Sequence, residues 1–226
     1  MEQCGQSEAD ANQTGNLKST EEDIEKAAAF AKAVGIREEN ILRITGTTKD
    51  PSDDKPYMES AKTFGKKLNK LVREHFGTSK GKKFLFVYMS GHGASEDAQF
   101  FLLNAKDDVC FPVENKLRAT AESYDVKVFA IYDICRSRLA DYQAKRGVEA
   151  DGQVGKEVNY MHLGATPRAT IDADSEMADI FTSHMQKKAD ANGGLIHFPL
   201  DLADIGHGIQ PTLPTVNDPY VLKYEP

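Results

Sequence analysis

The chain has 226 residues, 40% of them hydrophobic, which is enough for a core without disulfide or metal staples. Its formal charge of −7 and pI near 5.4 argue against nucleic-acid binding and say little about a substrate beyond a mild lean to cationic peptides. Three cysteines (Cys4, Cys110 and Cys135) make no disulfide framework, and neither a signal peptide nor a run long enough to cross a bilayer is evident. The expectation is a cytoplasmic chain with no membrane association, its oligomeric state open.

Residues 1–18 are small and polar and read as a disordered tail. A helix is expected next. Ser19 and Glu22 have capping-box spacing, Ile24, Ala27, Ala28, Ala31 and Val34 form one apolar face, and Gly35 stands at the C-cap. Residues 40–45 (N-I-L-R-I-T) read as a short strand. A second helix is expected over 57–76, with Ala61, Phe64, Leu68, Leu71, Val72 and Phe76 on one side and Gly77 ending it.

Residues 83–89 (K-F-L-F-V-Y-M) and 126–132 (V-K-V-F-A-I-Y) are near-continuous apolar runs, the pattern of strands buried on both faces of a parallel sheet. Between them lie a short strand at 99–103 and a helix carrying Val113, Leu117, Ala121 and Tyr124. Residues 139–157 are polar and glycine-containing, an exposed loop. A strand over 158–163, helices at 174–190 and around 199–206, and one or two edge strands complete the chain. The alternation predicts an α/β layered fold with a mostly parallel sheet.

Both apolar runs end in reactive residues, Ser90-Gly91-His92-Gly93 and Asp133-Ile134-Cys135-Arg136. Adjacent parallel strands would put both tips on one edge, about 5 Å apart. A thiolate nucleophile needs a nearby histidine to activate it and to protonate the leaving amine. The flanking glycines allow close backbone approach, and the amides of Gly93 and Cys135 are natural oxyanion-hole donors. Taken alone, Cys135 reads more readily as a small buried residue than as a nucleophile, and the other reading of His92 is a turn histidine. The other H-G pair, His207-Gly208, follows a helical segment, and His75, His162, His184 and His197 read as helix-face or loop residues. With no H-E-x-x-H motif or paired C-x-x-C, no metal is expected.

These two motifs, in this order and on strand ends, resemble those of the caspase, metacaspase and paracaspase superfamily of cysteine peptidases; D-I-C-R looks closest to the paracaspase form. Legumain-like peptidases share the same kind of strand tips. The resemblance implies a caspase-like three-layer sandwich, its mostly parallel sheet flanked by helices. It divides the chain into a large-subunit-like part (19–138), an inter-subunit loop (139–157) and a small-subunit-like part (158–226). The family's first strand, which precedes the first helix and lies between the strands here expected at 40–45 and 83–89, has no counterpart in residues 1–15. The expected fold lacks it.

The implied activity is a cysteine endopeptidase with His92 and Cys135 as dyad and Gly93 and Cys135 at the oxyanion hole. The alternative is an inactive domain of the same fold acting as a regulatory or interaction module. Asp133 resembles the carboxylate that lines the family's S1 pocket and favours Arg or Lys at P1; it reads otherwise as a turn-stabilising aspartate. Arg136 and Arg168 would favour an acidic P1 residue instead, and Asp172 and Asp174 lie in a segment that also contributes to family pockets. Lys145-Arg146 and Asp151-Gly152 are processing sites if the loop is cleaved, and a plain linker otherwise. No cofactor is expected; Asp107-Asp108 and Asp172/Asp174 resemble metacaspase calcium sites only in charge, without the spacing of a calcium loop.

Overall fold

The computed structural model describes residues 20–44, 55–77, 80, 83–91, 93–96, 99–103, 109–111, 113–134, 137–138, 145–146, 160–165, 177–198, 200–206, 209–212 and 220–226. Helix α1 (Thr20–Ala33) presents Ala27, Ala28 and Ala31 to the interior, as its spacing predicts, while Ile24 and Val34 of the expected face are half-buried and Phe30, outside that face, is buried. Gly35 closes it with two reverse hydrogen bonds, Gly35 N to Lys32 O at 2.8 Å and Ile36 N to Ala31 O at 2.9 Å. Helix α2 (Lys55–Phe76) follows, ended by Gly77, whose amide bonds Arg73 O at 3.1 Å.

The strand expected at 40–45 is not there. A 3₁₀ turn occupies Glu38–Asn40 and residues 41–44 pair with nothing in a sheet, Thr45 lying outside the described residues. Ile41 and Ile44 are only half-buried and Leu42 is exposed, so the local β propensity finds no neighbouring edge. Instead Arg43 bonds Glu25 at 2.7 Å and Glu38 at 2.8 Å, holding the segment against α1.

The two apolar runs form β1 (Phe84–Ser90) and β5 (Lys127–Asp133). Between them come β2 (Gly93–Glu96), β3 (Gln99–Leu103), β4 (Val109–Phe111) and helix α3 (Val113–Tyr124). After β5 come β6 (Ser137–Arg138), β7 (Lys145–Arg146), β8 (Tyr160–Ala165), helix α4 (Met177–Ala191), β9 (Leu195–Phe198), β10 (Ile209–Thr212) and β11 (Tyr220–Lys223). The helix expected around 199–206 is a single 3₁₀ turn, Leu200–Leu202. Within the expected loop 139–157, Lys145 and Arg146 pair with Val109 and Cys110; Asp151 and Gly152 lie outside the described residues.

The main sheet has the order β1-β5-β8-β10, with β1, β5 and β8 parallel and β10 antiparallel to β8. Helices cover both faces. Leu68 and Val72 of α2 and Val113, Leu117 and Ala121 of α3 pack on Val87, Met89, Val128, Ala130 and Tyr132. On the other face, Phe30 of α1 and Met177, Phe181 and Met185 of α4 pack on Phe129 and Ile131, with Phe84, Phe86 and Tyr88 alongside. A continuous apolar run is needed because both faces of these strands are covered. The fold is thus mixed α/β, a small parallel sheet between helices. The described strands also form a five-stranded sheet of short strands, of order β6-β2-β3-β4-β7, and a β9-β11 pair. Among the described residues β1 has β5 as its only strand partner, leaving its outer edge open. None of the described helices is long and apolar enough to cross a membrane.

Phe181 is the hub of the second face: it is 1% exposed and its ring lies 4.7 Å from Phe30, 6.1 Å from Phe86 and 6.0 Å from Phe129. Phe181→Ala is expected to cost about 3–5 kcal/mol in urea unfolding. Leu200→Ala, at a site 58% exposed, stays within about 0.5 kcal/mol of the parent.

Candidate active site

The register of β1 and β5 decides what their tips can do. Phe84 to Ser90 pair in parallel with Lys127 to Asp133, so both strands end level on the same sheet edge. The Gly91 amide extends the pairing with a 3.3 Å hydrogen bond to Asp133 O. Beyond the tips the two chains meet again: Ala94 and Ser95 of β2 pair in parallel with Ser137 and Arg138 of β6. The offset between partners is 43 positions before the tips (Ser90 with Asp133) and 43 after them (Ala94 with Ser137). In the sequence, His92 and Cys135 are separated by the same offset. Both residues lie outside the described ones, as do Arg136, Arg168, Asp172, Asp174, Asp107, Asp108 and His207.

The glycines on either side of His92 serve different ends. Gly91 has φ +152°, a conformation that residues with a side chain rarely adopt. Gly93 is buried against the neighbouring tip: a Cβ there would stand 2.5 Å from Ile134 Cβ, well inside contact distance. Ile134, 1% exposed, belongs to the core beneath α2 and α3 and cannot retreat. The close approach of Gly93 to Ile134 therefore draws the chain after β1 onto the chain after β5.

Asp133 is 3% exposed and accepts a short hydrogen bond on Oδ2 from the Tyr88 hydroxyl. Strand parity puts both on the α1/α4 face, two residues along from Phe86 and Ile131 respectively. Burial pushes the Tyr88 phenol well above its ordinary pKa; the Asp133 charge, its hydrogen bond and the more distant Asp23 charge push the same way, while a hydrogen bond with Ser90 opposes them. Asp23, on the first turn of α1, is fully buried, with Lys26 Nζ 3.8 Å from Oδ1.

The expected site residues thus divide. Asp133 and Gly93 stand at adjoining tips, and the neighbours of His92 and Cys135 are paired on both sides. His184, on helix α4, bonds Asp201 O at 2.6 Å, in keeping with a helix-face role, whereas His197, with Nδ1 3.5 Å from Asp201, and His162 are in strands β9 and β8 and in neither a helix nor a loop. No group of three or more metal-ligating side chains occurs among the described residues. Two residues near the site escape the motif reading, Tyr88 and Asp23. Each carried a signal: a tyrosine in a buried run needs a partner for its hydroxyl, and Asp23 lies on the α1 stripe four residues before Ala27 and seven before Phe30. No model of a known protein family matches the chain, and no curated protein matches it either.

Gly93→Ala is expected to destabilise by about 1–3 kcal/mol through overpacking against Ile134. Gly65→Ala in α2, where a Cβ meets only the flexible Lys116 Cε at 3.7 Å, should stabilise by about 0.5–1 kcal/mol. Urea unfolding of the two variants checks the opposite signs.

Tyr88 also gives the alkaline limb of stability a definite sign. Below about pH 10 its phenol is neutral in folded and unfolded chains alike. Above that, the unfolded chain ionises while the folded phenol keeps its proton, so stability falls as pH rises, by about 1.4 kcal/mol per pH unit for this one group. Unfolding free energies at pH 9 to 11 should therefore fall more steeply in the parent than in Tyr88→Phe.

Proposed function

We propose that the chain is a cysteine-type endopeptidase of caspase-like fold, with His92 and Cys135 as its dyad. One observation carries this reading: the strand tips are paired with the same 43-position offset before and after these two residues. His92 and Cys135 are separated by the same 43 positions in the sequence. In the proposed cycle the imidazole takes the thiol proton and returns it to the leaving amine. Cys135 Sγ attacks the scissile carbonyl, and the carbonyl oxygen, now negative, is held by the amides of Gly93 and Cys135. Water then hydrolyses the thioester, with His92 as base.

Asp133 supplies negative charge beside the nucleophile and favours Arg or Lys at P1. In this reading the caspase-like domain spans 19–226, with the large-subunit-like part ending at 138 and the small-subunit-like part beginning at 158, after an N-terminal tail. Neither metal nor cofactor enters the cycle.

A second reading, an inactive domain of the same fold serving as an interaction module, is favoured by the open outer edge of β1 among the described residues. Partly buried Phe84, Leu85, Phe86 and Tyr88 lie along that strand, which carries neither proline nor a charge to discourage pairing.

Fluorogenic peptides with Arg, Lys or Asp at P1 separate the readings. Turnover is expected with Arg and Lys, and Cys135→Ala should lower it by on the order of 10³-fold or more. Equal turnover by mutant and parent removes the catalytic claim. A thiol-reactive peptide ketone that leaves Cys135 unmodified in mass-mapped digests favours the interaction module.

A further inference from the structure

Four features of the strand tips bear on Tyr88. It stands four positions before His92, and Asp133 two positions before Cys135, so their hydrogen bond ties the strand that leads to one residue directly to the strand that leads to the other. Asp133 is 3% exposed, and its Oδ2 accepts from Tyr88 on the neighbouring strand β1. Among the described residues, the 3.3 Å bond from Gly91 N to Asp133 O is the one backbone bond between the last strand pair and the resumption of pairing at Ala94. The intervening S-G-H-G segment has two glycines, the residue type with most freedom to lose on ordering.

We propose that Tyr88 is a positioning residue: its hydroxyl, bonded to Asp133 Oδ2, braces the histidine-bearing tip against the cysteine-bearing tip. The proposal rests on the peptidase reading and adds to it a residue outside both motifs. Proton transfer between imidazole and thiol depends steeply on their separation, so a looser brace slows the chemical step and leaves substrate binding alone. Tyr220 provides the matched control. Its hydroxyl donates to Lys83 O at 2.9 Å, just before β1 begins, a tyrosine bond at the strand's other end.

The test uses the full chain and Arg-P1 and Lys-P1 peptides, with kcat, KM and melting temperature measured for the parent, Tyr88→Phe, Asp133→Asn, the double variant of these two, and Tyr220→Phe. Tyr88→Phe is expected to lower kcat about tenfold with KM within about twofold, since a hydrogen bond to a charged group is worth about that factor. The double variant should lose no more kcat than Asp133→Asn alone, and Tyr220→Phe should lower the melting temperature without changing kcat. A Tyr88→Phe enzyme with parental kcat overturns the brace. So does a rise in KM alone, which would make the tyrosine part of substrate binding, and so does an equal loss of kcat in Tyr220→Phe, which would make it a general effect of stability. An inactive parent overturns the peptidase reading and the brace together; an active parent with an unaffected Tyr88→Phe overturns the brace alone.

Discussion

Everything at the candidate site depends on the parallel pairing of β1 with β5. Parallel strands put both carboxyl ends on one edge, and loops leaving that edge must start side by side. An antiparallel pairing of the same two runs would put Ser90 and Asp133 at opposite ends of the sheet. The pairing is enforced by burial on two sides. Leu85, Val87 and Met89 meet the cluster under α2 and α3, while Phe84, Phe86 and Tyr88 meet that under α1 and α4. A slip of one residue would exchange these sets and turn Asp133 towards the α2/α3 cluster, away from Tyr88. The apolar core thereby fixes a polar hydrogen bond, and the register that reaches the tips is set well below them.

How much of this the sequence discloses follows from the range of the forces involved. Helices α1 to α4 and strands β1 and β5 are legible because each makes its own pattern: a stripe at helical spacing, or an apolar run bounded by turn residues. Segments whose structure depends on a distant partner are not. Residues 41–44 have the composition of a strand, but a strand exists only where an edge is offered, and here Arg43 is held by Glu25 and Glu38 instead. Conversely, Ser137–Arg138 and Lys145–Arg146 have no strand signal, yet each pairs because β2 and β4 present an edge beside it. The turn Leu200–Leu202 shows a third limit. Leu202 is buried and the neighbouring Asp201 accepts from the His197 amide at 2.6 Å, so a few anchoring contacts imitate a helical pattern without a helix.

At the candidate site the sequence displays the reactive residue types and not the groups packed around them. Motif reading picks out groups whose chemistry is rare, a histidine between glycines and a cysteine beside arginine. It passes over Tyr88, which in an apolar run looks like one more hydrophobic residue, and Asp23, which in a first helical turn looks like a favourable charge at the positive end of the helix dipole. Asp23 is fully buried and Tyr88 partly so, and burial makes their electrostatics count: the phenol is kept neutral by its surroundings beside the Asp133 charge. Such groups emerge only when the sheet places them across from one another.

The glycines show where sequence pattern stops bearing on chemistry. Gly91 is required by its backbone conformation and Gly93 by contact with Ile134, and both requirements would hold in a turn with no catalytic role. The two glycines therefore account for the shape of the tip and leave the histidine between them unexplained. What bears on the histidine is the register on either side of it, which pairs Ser90 with Asp133 and Ala94 with Ser137 at the offset that separates His92 from Cys135 in the sequence. A structural turn needs no such correspondence, whereas a proton transfer between imidazole and thiol does. The peptidase reading thus rests more on the pairing of the two tips than on the composition of either.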